Sequence, residues 1–160
     1  MNHRAIGSSD LELIHFIYMD EVNNPFLSYD PMDLVAFRPL YENLVREGRT
    51  YLLLDGTNVV GTYELRLQER RSSHVATLGS FAMHAAFRGR GFGAKAIEEI
   101  VDVARSRGVR RLELLVEVDN PRAIRFYERH GFVKEGILRG AVRRAGERHD
   151  VDEIAMARLL

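Results

Sequence analysis

The sequence contains no cysteine and no tryptophan, has four prolines, and carries no uninterrupted apolar run longer than a few residues. The absence of cysteine excludes disulfides, thiolate zinc sites, iron–sulfur clusters and a cysteine nucleophile together. A membrane-spanning helix needs about 20 consecutive apolar residues, so none is expected. The first ten residues, with His3, Arg4, Ser8, Ser9 and Asp10, lack the apolar stretch of a signal peptide, and a cytoplasmic location is expected. Neither sign of charge dominates. The 23 basic side chains equal the 23 acidic ones, which argues against a nucleic-acid or membrane-surface partner. Lysine is scarce as well. Only Lys95 and Lys134 stand among 21 arginines, a skew that reads as a habit of composition before it reads as a set of bidentate contacts.

What is present is an ordinary globular mixture: 160 residues, 46% hydrophobic and 29% charged. A chain of this size buries roughly 70% of its unfolded surface in one core, so a single domain over residues 1–160 is expected. The charge is unevenly spread. Residues 1–80 hold 7 basic and 11 acidic side chains, and residues 81–160 hold 16 and 12, so an anionic ligand is expected on the second half. The six histidines show neither an H-x-H nor an H-E-x-x-H pairing, and no metal site is expected.

Periodicity and punctuation predict a mixed α/β chain. Asp10 reads as the cap of a helix carrying Leu11, Ile14, Phe16, Ile17 and Val22, broken by Asn23-Asn24-Pro25. A second helix is predicted from Asp33 to Glu47, with Gly48 ending it and Pro39 expected to kink or divide it. Asp55-Gly56 between two β-prone runs signals a hairpin of Thr50–Leu54 with Val59–Gln68, and a third strand follows over His74–His84. Ile97, Ile100, Val101 and Ala104 set the apolar stripe of a helix over Phe92–Arg107, closed by Gly108. A strand over Leu112–Val118 leads to a short helix capped by Asn120 with Pro121 at its first position. Strands near Phe132–Leu138 and Val151–Leu159 finish the chain, and Arg4–Ile6 is a candidate first strand.

The segment richest in chemistry is Phe87-Arg88-Gly89-Arg90-Gly91-Phe92-Gly93-Ala94, between a strand and a long helix. Alternating glycines leave backbone N–H groups uncovered at the positive end of the helix, which suits phosphate oxygens, and Arg88 and Arg90 can add charge-assisted bonds. It is not a Walker loop, because Lys95 lies between Ala94 and Ala96. As a dinucleotide fingerprint its third glycine comes one residue early. On these residues alone a plain strand-to-helix turn stays open.

The pattern Arg88-x-x-Gly91-x-Gly93 resembles the signature of the GNAT family of N-acetyltransferases. The preceding Phe81-Ala82-Met83-His84, the stretch Val118–Phe132 with Asn120 seven residues before Tyr127, and the tail Asp152–Leu159 extend the likeness over about residues 50–160. The resemblance implies a mixed, mostly antiparallel sheet with a V-shaped split between its central strands, flanked by about four helices. It implies acetyl-CoA as cosubstrate, with the pyrophosphate held by amides of Arg88, Gly89, Arg90, Gly91, Phe92, Gly93 and Ala94. The backbone of Phe81, Ala82 and Met83 would pair with the pantetheine arm, a bulge next to Met83 would offer an N–H to the oxyanion, and Asn120 and Tyr127 would approach the thioester end.

The implied reaction is attack of a primary amine on the thioester in a ternary complex, and a chain without a thiol favours such direct transfer. Tyr127 is the expected proton donor to the departing thiolate. The base is open. Many members of the family place a carboxylate on the strand before the loop, whereas His74–His84 carries none. Glu113 and Glu117 on the next strand are the first candidates, then Glu64 and His84, or a chain of waters. The acceptor side would be built by Asn23–Asp33, where Phe26 and Tyr29 offer an apolar wall and Asp30 or Asp33 attracts an amine, with Arg139–Asp150 as a further contributor. Similarity to bacterial members that acetylate amino acids favours a small-molecule amine. The alternatives are a protein N-terminus, a polyamine or an antibiotic as acceptor, or a non-catalytic acyl-CoA-binding module; a homodimer is possible.

Overall fold

The structure is a computed structural model that describes residues 1–160. Its elements in chain order are β1 (Asn2–Ala5), α1 (Leu11–Tyr18), α2 (Leu34–Glu47), β2 (Thr50–Asp55), β3 (Asn58–Leu67), β4 (Val75–Met83), α3 (Phe92–Ser106), β5 (Arg111–Glu117), α4 (Pro121–Arg129), β6 (Val133–Val142) and β7 (Val151–Leu159). Seven strands hydrogen-bond in the order β1-β2-β3-β4-β5-β7-β6. The β1–β2, β2–β3, β5–β7 and β6–β7 pairings are antiparallel, and β4 with β5 is parallel. Parallel neighbours need a long crossover, and α3 supplies it. This is the mixed sheet with four helices that the sequence predicts.

The chain divides into two compact units, Met1–Arg66 with Gly79–Glu99, and Leu67–Leu78 with Ile100–Leu160. The core of the first is built by Ile14, Ile17 and Tyr18 of α1, Phe37, Tyr41 and Leu44 of α2, Leu52 of β2 and Ala82 of β4. Asp33 caps α2 by accepting from the Ala36 N–H at 2.8 Å, and Gly48 ends it in the left-handed conformation at φ 64°. Of the two effects expected of Pro39, division does not occur, since α2 is continuous over Leu34–Glu47. The carbonyl Pro39 leaves without a helical donor belongs to Val35, which stands 81% exposed in the first turn, where water can serve it. Asp10 occupies the N-cap position of α1, yet its side chain makes no capping bond. Its carboxylate instead accepts from the Gly7 N–H at 2.8 Å and from both Arg4 terminal nitrogens at 2.7 and 2.8 Å. The helix also stops at Tyr18, short of Val22, because the Asp20 carboxylate takes the Val22 and Asn23 N–H groups into a turn.

In the second unit the register of β4 with β5 covers three pairs, Val75 with Arg111 to Thr77 with Glu113. β5 pairs with β7 along its whole length, Arg111 with Leu159 to Glu117 with Glu153. Leu112, Leu114 and Val116 of β5 are buried with Ile100, Val101 and Ala104 from the later part of α3 and Met156 of β7. Asn120 Oδ1 accepts from the Ala123 N–H at 3.0 Å, which fixes the start of α4 together with Pro121. At the other end Gly131 (φ 80°) reverses the chain, and Arg158 donates to the His130 carbonyl at 3.0 Å.

Candidate active site

In the first unit β4 runs through Phe81-Ala82-Met83 into a short turn, Ala85–Phe87, and then into the glycine-rich segment. His84 shapes this turn, its Nδ1 accepting from the Ala86 N–H at 3.2 Å. Gly89 and Gly91 sit at φ 73° and 81°, a conformation that strains any side chain, and no atom stands within 4 Å of where a Cβ would point. The open space lets a ligand approach the backbone just where α3 begins, at Phe92. The two arginines of the turn face different tasks. Arg90 lies 5.9 Å from both the Phe87 and Phe92 rings and donates to the Ala86 carbonyl at 3.2 Å. Arg88 pairs at 2.5 Å with Asp20, beyond the end of α1. Arg88 therefore anchors the turn to the N-terminal helical segment, a partnership that spacing alone does not reveal.

The same segment is tied to β4 by Asn23, whose side-chain amide donates to the Met83 carbonyl at 3.1 Å and to the Ile17 carbonyl at 2.9 Å. Asn24, buried, donates to the Tyr18 and Tyr29 carbonyls at 3.1 and 3.0 Å. Of the acceptor-side candidates, Asp33 serves as the helix cap and Tyr29 turns inward, its ring stacked on Tyr18 at 5.4 Å and 19°. Backbone irregularity in β4 falls at Ser80, with φ 45°, three residues before the bulge expected next to Met83. A non-glycine residue there costs about 1–3 kcal/mol and persists only where neighbours impose it. Here the Ser80 hydroxyl donates to Glu64 Oε1 at 3.3 Å.

Glu64, like Asp10, is a buried carboxylate of this unit. It stands on β3, 5% exposed, with the Tyr29 hydroxyl 3.5 Å from Oε1 and Arg49 Nε and Arg66 Nη2 each 3.7 Å from Oε2. Burial first, and then the charge of Glu64, push the Tyr29 hydroxyl up to about 12 and the Tyr18 hydroxyl higher still. In sequence Glu64 is one acid among many; its burial, and the Ser80 conformation beside it, have no local signal.

The second unit holds the other candidates. Tyr127 lies on α4, almost fully buried between the Phe126 and Phe132 rings at 5.4 and 5.5 Å. Burial alone pushes its hydroxyl well above the usual tyrosine range. Asn120 stands at the start of the same helix. Glu113 meets Arg111 Nε at 3.2 Å and the Thr77 hydroxyl at 3.5 Å. Glu117, 8% exposed, is gripped by Arg144, which also bonds Asp119 at 2.8 Å. Burial raises the Glu117 carboxyl above the ordinary range, with Arg144 pulling against that.

The Acetyltransferase (GNAT) family model matches residues 13–132, and the chain belongs to this family. It is 36% identical over 108 residues to the L-amino acid N-acetyltransferase AaaT of Escherichia coli, covering 66% of this chain and 64% of that protein. It is 26% identical over 143 residues to the spermidine N(1)-acetyltransferase of Vibrio cholerae, covering 84% and 80%. An uncharacterized N-acetyltransferase of Methanocaldococcus jannaschii is 39% identical over 69 residues, 43% of this chain and 30% of that one. The chain thus spans between about a third and two thirds of the length of the first curated relatives it matches. Among solved structures, a ribosomal-protein-alanine N-acetyltransferase from Brucella melitensis superposes with a TM-score of 0.75 at 25% identity, covering 100% of both chains. The Vibrio cholerae spermidine N-acetyltransferase in complex with CoA and spermine superposes with a TM-score of 0.82 at 23% identity, covering 99% of this chain and 94% of that one.

Proposed function

We propose that the protein transfers the acetyl group of acetyl-CoA to the primary amine of a small molecule, with an amino acid as the first candidate acceptor. The observation that carries this reading is the passage of β4 into a turn with Gly89 and Gly91 at positive φ that opens α3, with free space over its backbone. Amides from Arg88 to Ala94 suit a pyrophosphate, and the strand edge at Phe81, Ala82 and Met83 suits the amide-bearing pantetheine arm. The residues present fit acetyl-CoA, which supplies the activated acyl group.

With both substrates bound, the amine attacks the thioester directly. Tyr127, held protonated by its burial, donates to the departing sulfur, and Asn120 orients the thioester end. Glu113 and Glu117, the first bases considered, are each held by an arginine, Arg111 and Arg144. The relative named for L-amino acids supports an amino-acid acceptor. A polyamine acceptor is the second reading, favoured by the spermidine relative, whose likeness extends over 84% of this chain. The test is release of CoA from acetyl-CoA across a panel of amino acids, polyamines, aminoglycosides and peptides bearing a free N-terminus. Turnover with amino acids alone establishes the first reading, and turnover with polyamines alone the second. Acetyl-CoA binding without turnover of any amine refutes both and supports a binding module.

A further inference from the structure

Glu64 is an acid at a position that β3 otherwise fills with buried residues, since Val60 to Leu65 are all buried. A buried carboxylate normally draws charge-assisted bonds of about 2.7–2.9 Å. The contacts around Glu64 are longer, at 3.3 and 3.5 Å to the Ser80 and Tyr29 hydroxyls and 3.7 Å to each guanidinium. Arg49 gives its closer contact to Glu47, at 2.8 Å. Oε1 therefore keeps acceptor capacity for a stronger donor.

The surroundings indicate which donor. Ser80 precedes Phe81–Met83, the strand edge assigned to the cosubstrate arm. Tyr29 comes from the segment Asn23–Asp33 assigned to the acceptor. Both approach the same oxygen, while Arg49 and Arg66 lie toward Oε2 and offset its charge. Gly79 leaves room beside the side chain, since a Cβ there would stand 3.7 Å from Glu64 Cβ and 3.9 Å from Oε2. The charged and titratable groups facing Glu64 are thus Arg49, Arg66, Tyr29 and Tyr18, with Glu47 acting on Tyr29 from the end of α2.

We infer that Glu64 is a catalytic residue, the seat and proton acceptor of the substrate's ammonium group, with Ser80 and Tyr29 orienting its carboxylate. The inference rests on the proposed acetyl transfer. An ammonium N–H proton passes to Oε1, and the freed nitrogen lone pair forms the N–C bond to the thioester carbonyl. The C–S bond then breaks with its electron pair on sulfur. A second proton leaves the nitrogen, sulfur is protonated to the thiol, and Glu64 returns its proton to water, so one proton is released per turnover. The strand before the glycine-rich turn carries no acid, and the neighbouring strand supplies one. The acceptor class selected is a compact primary ammonium.

The test compares an alkylamine, charged at neutral pH, with a hydrazide acceptor that is neutral there. For Glu64→Gln, kcat/KM with the alkylamine is expected to fall about 100-fold or more, the scale of a lost general base. The hydrazide rate should fall less than about tenfold, acetyl-CoA affinity by calorimetry should hold, and Glu64→Asp should recover part of the loss. Equal loss with both acceptors, or an unchanged alkylamine rate, overturns the inference. Should Glu64→Gln fail to fold, the double variant Ser80→Ala with Tyr29→Phe keeps the carboxylate. It should lower the alkylamine rate several-fold while sparing the hydrazide, and equal effects on both overturn the inference. A wild-type protein that turns over no amine refutes the proposed function and this inference with it. Wild-type turnover with an indifferent Glu64→Gln refutes the inference alone.

Discussion

Arg144 lies in the connection from β6 to β7 and holds the end of β5. Its guanidinium grips Glu117, bonds Asp119 at 2.8 Å and reaches Glu147 at 3.3 Å. The Arg144 side chain is 19% exposed and that of Glu117 9%, whereas those of Asp119 and Glu147 are 46% and 44% exposed. Exposed pairs contribute about 0–1 kcal/mol, and removing one member of a buried pair costs about 3–5 kcal/mol. One largely buried contact with two exposed ones places Arg144→Ala at about 2–3 kcal/mol, a fall in Tm of about 5–10 °C for a chain of this length. The pH dependence follows from the direction at Glu117. Burial raises its folded pKa, Arg144 opposes the rise, and in the variant the opposition is gone. A carboxyl whose folded pKa exceeds its unfolded value loses stabilisation as pH rises through the folded value. The deficit of Arg144→Ala should therefore be full at pH 7–8 and shrink as pH falls toward the unfolded value near 4.5. Urea unfolding followed by circular dichroism at several pH values measures it, and Glu117→Gln in the same background should remove the part above about pH 4.5, leaving in the acid range the part due to Asp119, whose carboxyl Arg144 holds below its ordinary range. A loss below about 0.5 kcal/mol, or one independent of pH, refutes the reasoning.

Tyr127→Phe is expected to lower kcat by about 100-fold while leaving the KM for acetyl-CoA nearly unchanged; full turnover at neutral and alkaline pH removes Tyr127 from the acid role. Asp10→Asn should cost about 1–2 kcal/mol at pH 7, because the carboxylate accepts from Arg4 twice and from Gly7. The Arg4 bonds hold the Asp10 carboxyl below its ordinary range, so the wild-type advantage should be present above about pH 3.8 and disappear as pH falls through the depressed value. A constant difference between the two proteins down to the acid transition counts against this. Gly61→Ala should destabilise by about 1–3 kcal/mol and weaken acetyl-CoA binding, since its Cβ would stand 2.6 Å from the Ala82 carbonyl oxygen. Calorimetry on the folded variant separates the two effects.

The elements that sequence made legible are those set by local chemistry. Asn120-Pro121 starts α4, Gly48 and Gly108 end helices, and the glycines at 89 and 91 mark the turn into α3. What it concealed depends on partners distant in the chain. Asp10 reads as a cap until Arg4 and Gly7 claim its carboxylate. Pro39 reads as a kink or a break, yet α2 runs on through it to Glu47, with Val35 left exposed. The burial of Glu64 is hidden because strand alternation assumes one wet face, and β3 is covered on both over Val60–Leu65. Arg88 reads as a phosphate ligand, and its pairing with Asp20 joins residues 68 positions apart.

The close approach at Gly61 also bears on how the chain finds its fold. An antiparallel hairpin can mispair by one residue, and such a slip turns every side chain to the opposite face. The narrow gap beneath the Ala82 carbonyl admits a glycine and nothing larger. A slipped β3 would bring Val60 or Thr62 to that place, and their branched side chains would bar the strand from docking. Gly61 thus marks the one residue of β3 that this register can set against Ala82.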